Sequence, residues 1–136
     1  MSTVIPPDME LWLCDYLRGR LPDVTVGNRE PDDYLGSRPL IVVRDDGGAQ
    51  SDRVMFDRSI GVTVCGWSVS NPKPCADLAR RVYGLLTADP DIITADGSPI
   101  AAIIGDGCNG PYPTTGDMSY ARYYLTVEYC AIGDFA

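Results

Sequence analysis

The sequence predicts an α+β fold, a mostly antiparallel β-sheet with two helices packed on one face, and three observations lead to it. Two stretches place apolar residues at helical spacing beside prolines. Several others are runs of β-branched, apolar or aromatic residues bounded by Gly, Pro or Asp. Their order (helix, one short and two long strands, helix, two strands) does not alternate, so it is not a βαβ repeat and gathers the helices on one side of the sheet.

The first helix runs from about Pro7 to Leu21, with Met9, Trp12, Leu13, Tyr16 and Leu17 on one face. Pro6 and Pro7 suit its entry and Pro22 stops it. A short strand, Val24 to Val26, precedes a turn-rich segment from Gly27 to Arg38 that contains Pro31, Asp32, Asp33 and Gly36. Pro39 to Arg44 reads as a buried strand entering a tight turn at Asp45-Asp46-Gly47-Gly48, and a long strand from Arg53 to Trp67 pairs with it. Ile60, Val62 and Val64 share the core face of that strand, while Ser59, Gly61, Thr63, Cys65 and Trp67 share the other. Asn71-Pro72 predicts a capped helix start, followed by the stripe Cys75, Leu78, Ala79, Val82, Leu85 and Leu86 and an end near Thr87 to Pro90. Pro99 to Ile104 is a further strand. Tyr120 to Ile132 is the last, with Ala121, Tyr123, Leu125, Val127, Tyr129 and Ala131 inward and Arg122, Tyr124, Thr126 and Glu128 on a half-polar outer face.

A chain of 136 residues, 45% hydrophobic and 22% charged, has the size and balance of one globular domain. Its longest apolar runs, such as Ile100 to Ile104, are far short of the roughly 20 residues of a spanning helix, so no membrane segment is expected. Met1 to Pro7 carries no basic residue, which predicts no secretory signal and a mature chain in the cytoplasm. Nineteen acids against eleven bases give a net charge of −8, the wrong sign for sequence-independent binding to nucleic acid. Sixteen of the acids are Asp, mostly in turn-like segments, where two readings are open. They form a solvated loop set, or some line a channel whose negative charge keeps passing DNA from sticking.

Chemistry is sparse. The five cysteines include no C-x-x-C pair and there is no histidine, which argues against a zinc site and removes His-based catalysis; buried thiols in a reducing compartment are the expectation, with Cys108 alone in a loop. Gly105-Asp106-Gly107-Cys108-Asn109-Gly110 has the glycine spacing of a dinucleotide fingerprint, but Pro111-Tyr112-Pro113 stands where a helix would have to begin, so it reads as a turn joining the last two strands. Asp45, Asp46 and Asp52 around a Gly-rich turn could offer oxygens to a divalent cation, though without EF-hand spacing, and they read better as a hairpin loop. No cofactor or metal is expected.

The order of elements and several short motifs resemble the tail terminator, or tail completion, proteins of long-tailed phages, especially phages of actinobacterial hosts. The resemblance covers nearly the whole chain. It is carried by the amphipathic N-terminal helix, Pro39-Leu-Ile-Val-Val-Arg44 running into Gly47-Gly48, Asp57 and Val62 to Trp67, Ala76-Asp-Leu-Ala-Arg-Arg-Val82 ending in Leu85-Leu86, Gly110-Pro111-Tyr112-Pro113 and Arg122-Tyr123. It implies a structural virion protein, not an enzyme. Such a subunit forms a hexameric homo-oligomeric ring on the head-proximal end of the tail tube. It contacts the tube protein and the head–tail connector or neck proteins, and DNA passes through without specific binding.

On that reading the loop Arg44 to Arg53, the loop Gly105 to Met118 and the exposed face of the last strand meet neighbours, with Arg44, Asp45, Asp46, Arg53, Cys108, Tyr112, Arg122 and Tyr124 as interface candidates. The same arginines also read as ordinary surface ion pairs. Other functions consistent with the sequence are a head–tail joining, neck or other minor tail protein, a carboxylate-only enzyme with two converging acids, and an acidic host-directed binding protein.

Overall fold

The computed structural model describes residues 3–116 and 118–136; Met1 and Ser2 of the N-terminal segment, and Asp117 within the expected 105–118 loop, lie outside the described residues. The fold is α+β, with a mostly antiparallel sheet. In chain order the elements are β1 (Val4–Ile5), α1 (Met9–Arg20), β2 (Thr25–Gly27), β3 (Leu40–Asp45), β4 (Met55–Gly66), α2 (Lys73–Thr87), α3 (Asp91–Thr94), β5 (Ile100–Ile103), β6 (Asn109–Pro113), β7 (Ala121–Ile132) and β8 (Asp134–Phe135). The main sheet is ordered β2-β3-β4-β7-β5, and β6 also pairs with β7. Among the described residues only β2 runs parallel to its neighbour, and β1 and β8 form a separate two-stranded ribbon.

The spine of the sheet is β4 against β7, which pair residue for residue from Met55↔Ile132 to Gly66↔Ala121. Because side chains alternate along a strand, this register stacks Ile60 on Val127 and Val62 on Leu125, all fully buried. Each contributes about 1.5–3 kcal/mol of transfer free energy. The helices cover this face, α1 over β2 and β3 and α2 over β4, β7 and β6. Tyr129 is buried among them and donates its hydroxyl to the Leu86 carbonyl at 2.6 Å, tying the end of α2 to β7. Arg20 joins the last turn of α1 to Asp89 between α2 and α3 (3.3 Å) and to Asp91 at the start of α3 (2.6 Å).

Several boundaries differ from the expectation. The cap of α1 is Asp8, whose carboxylate accepts from the Leu11 amide at 3.1 Å, inside the Pro6-Pro7 entry. Asn71 does not cap α2. Its amide is turned back to Ser68, and the helix starts after Pro72 with no side-chain cap. No tight turn forms at Asp45 to Gly48. The ladder continues past β3, with Asp46 N–Ser59 O, Ser59 N–Gly47 O and Asp57 N–Ala49 O each at 2.8 Å, and the reversal comes at Ser51–Met55. The segment expected as a loop from Gly105 carries a 3-10 turn (Gly105–Gly107) and then β6. Two prolines and a shifted register hide this edge strand from a search for alternating residues.

Candidate functional site

The sheet face turned away from the helices is set by the same registers. Val42 and Arg44 of β3, Gly61, Thr63 and Cys65 of β4, and Arg122, Tyr124 and Thr126 of β7 all point to it. One end is covered by the chain between β2 and β3, where Tyr34, Leu40, Cys65 and Tyr120 form a second small core. Gly36 permits that cover: its φ is +84°, and a side chain there would collide with the Tyr120 ring. The helices pack on the opposite face, and the 3-10 turn Gly105–Gly107 lies against Glu128 at the far end of this one.

A cleft of about 280 Å³ lies where cover and open face meet, lined by Asn28, Arg29, Glu30, Val42, Arg44, Gly61, Thr63 and Arg122. At its covered end the Glu30 carboxylate accepts from Arg122 Nη2 at 2.7 Å and from the Tyr120 hydroxyl at 2.8 Å, and Arg122 also donates to the Tyr120 oxygen at 3.2 Å. Burial opposes the Arg122 charge, yet these partners together hold its pKa above the ordinary value. Its Nε is a buried donor with no hydrogen-bond partner among the described residues. At the open end Arg44 is gripped by Asp46 (Nε–Oδ1 2.6 Å), which raises its pKa, and reaches the Tyr124 hydroxyl at 3.3 Å. Tyr112 of β6 meets Tyr124 edge to face at 5.8 Å and is 45% exposed.

Five of the eight nominated residues therefore share one surface: Arg44, Asp46, Arg122, Tyr124 and Tyr112. Three do not. Asp45 alternates to the helix side, where its amide donates to the Glu10 carboxylate of α1 at 2.8 Å and its own carboxylate accepts from the Gly47 amide. Arg53 is exposed at the distant hairpin tip. Cys108 packs partly buried against the main core, its thiol directed at the Ile104 carbonyl. Sequence reasoning passed over Arg29 and Glu30, which sit in a turn-rich segment without periodicity. Gly61 did carry a signal, a lone glycine inside a strand, which marks close approach of another group.

The other chemical possibilities resolve locally. Asp45, Asp46 and Asp52 bond the Gly47 amide, Arg44 and the Val54 amide respectively, and no group of three metal-ligating side chains occurs among the described residues. The glycine fingerprint leads into β6, not a helix N-terminus. Asp77 and Asp89 are held below the usual carboxylate range, Asp77 chiefly by Lys73 and Asp89 chiefly by the Asp91 amide, the opposite direction from a general acid. The thiols of Cys14, Cys65 and Cys75 are buried and pushed up, and all five cysteines are free. Among the described residues no helix is long and apolar enough to cross a membrane. No protein-family model matches the chain, and no curated protein matches it.

Proposed function

We propose that this chain is a structural subunit of a phage tail, of the tail terminator type, which caps the head-proximal end of the tail tube as a hexameric ring. The observation that carries the reading is the sheet face turned away from the helices, on which Arg44, Asp46, Tyr112 and Tyr124 are held by one another. Arginine and tyrosine fixed before contact are the side chains protein interfaces favour, because little freedom is lost on docking. The sequence resemblance supports the same reading through the order of the elements. The ring ends tube polymerisation and offers its other side to the neck proteins. Its acidic loops repel the DNA that passes through, in keeping with the net charge of −8.

Silencing the gene in the encoding phage and imaging lysates by electron microscopy tests this. Overlong tails beside filled, unattached heads are expected. Tails of normal length that fail to join heads would reassign the protein to head–tail joining, and fully infectious particles would reject a virion role.

A further inference from the structure

Because β2 and β3 run parallel, the chain that joins them must return along the sheet. It does so over the outer face, in turns and bends. The ends of this crossover are fixed beside each other. The Thr25 amide donates to the Pro39 carbonyl at 3.2 Å, next to the pairing of Thr25 with Leu40. The middle, residues 28–38, is scaffolded from within. Among the described residues its one backbone–backbone hydrogen bond is internal, from the Tyr34 amide to the Pro31 carbonyl at 3.1 Å, and the Tyr34 hydroxyl donates to the Arg38 carbonyl of the same segment.

Side chains alone link that middle to its support. Glu30 accepts from Arg122 and Tyr120, Tyr34 meets the Tyr120 ring edge to face at 4.9 Å, and Asn28 donates to Glu10 of α1 at 3.3 Å. Beneath lie Leu40, Cys65 and Tyr120, a small core separate from the helix-facing one. Arg122, the residue that Glu30 grips, keeps its Nε buried without a partner among the described residues, a desolvation cost borne by the closed arrangement. A segment with tied ends, internal bonds and few links to the sheet has the features of a unit that opens well below the free energy of global unfolding.

We infer that residues 28–38 form a strap that lifts from the sheet as one unit while the β4–β7 ladder stays intact, uncovering Cys65, Leu40 and Tyr120 and admitting water to Arg122 Nε. The lifted form enlarges the face that carries Arg44, Tyr112 and Tyr124, so the strap acts as a built-in cover of that face. This use rests on the ring-forming reading above, whereas the opening itself does not.

Cys65 reports the opening, because it is fully buried beneath the strap and burial pushes its thiol up to about 12, which leaves the closed form unreactive. The purified protein is treated with a trace of alkylating reagent at rising urea below the unfolding midpoint. Slow modification of Cys65 is followed by peptide mass spectrometry, beside hydrogen exchange of the β4–β7 amides. The Cys65 rate is expected to depend little on urea, whereas the slowest ladder amides carry the full urea dependence of unfolding. Glu30→Gln weakens the clasp, and the methyl of Gly36→Ala would overlap Tyr120 Cβ in the closed form. Each substitution raises Cys65 modification about tenfold with circular dichroism unchanged. Equal urea dependence for Cys65 and the ladder overturns the strap, as does either variant leaving Cys65 as slow as in wild type, or Gly36→Ala losing ladder protection in step with Cys65. A strap that opens in a protein whose silencing leaves tails normal keeps the opening and rejects the tail role.

Discussion

Arg44 and Tyr124 meet across the full width of β4, their side chains joined at 3.3 Å above Gly61. Arg44 is the direct partner of Gly61, and Tyr124, opposite Thr63, leans over it diagonally. A methyl group on Gly61 would overlap the Tyr124 hydroxyl and press on Arg44 Nη2 and Asp46 Oδ2, both 3.2 Å away. Gly61→Val is therefore expected to break the Arg44–Tyr124 bond and destabilise the protein by about 1–3 kcal/mol through overpacking. Urea denaturation measures the cost. A rise in stability from the better strand former would show that the two side chains move aside freely.

Glu30 is the clasp between the β2–β3 segment and the sheet. Glu30→Gln keeps its shape but removes the charge that Arg122 and Tyr120 share, and a loss of about 1–2 kcal/mol is expected, reduced from a fully buried pair because both side chains are about a third exposed. Arg53→Ala, at an exposed tip, should stay within about 0.5 kcal/mol of wild type. Equal effects from the two would remove Glu30 from the clasp role.

Tyr129→Phe deletes the buried hydrogen bond to the Leu86 carbonyl and leaves that acceptor unpaired. The expected cost is about 1–3 kcal/mol, seen as a lower thermal midpoint and as faster amide exchange at the end of α2.

Thiol reactivity should divide the cysteines. Cys108 and Cys130 are partly exposed, whereas Cys14, Cys65 and Cys75 are buried, so an aromatic disulfide reagent near pH 8 should titrate at most two thiols in the native protein and five after denaturation. Burial pushes the Cys75 thiol up to about 11. The native state therefore holds this proton more tightly than the unfolded chain. The associated stability is present below the ordinary thiol pKa of about 8.5 and is lost as pH rises towards 11. Cys75→Ala should flatten the stability profile across that alkaline interval.

At the acid end Asp89 behaves in the opposite sense. The Asp91 amide and Arg20 lower its pKa, so its contribution is present above the ordinary carboxylate value of about 4 and disappears as pH falls through the lower folded value. Asp89→Asn should reduce the slope of stability against pH below about 4. An unchanged slope would mean that the link between α1 and the α2–α3 connection adds nothing.

The sequence by itself determined the α+β class, the two long helices, the long strands and the inward face of β7, because apolar periodicity over ten or more residues reports burial directly. It also placed Arg122 and Tyr124 on one outer face, since alternation along a strand is a local property. The tertiary structure decided the rest. The continuation of the β3–β4 ladder to Ser51 depends on hydrogen bonds to β4 that the Asp-Gly composition does not announce, and β6 exists because β7 offers it an edge. Arg29, Gly61 and Arg122 line one cleft only through the register of β3, β4 and β7 and the folding back of the β2–β3 segment. Register and chain reversal are fixed by contacts between residues far apart in sequence, whereas periodicity is fixed by neighbours. The helix-facing core was therefore legible in advance, and the cleft was not.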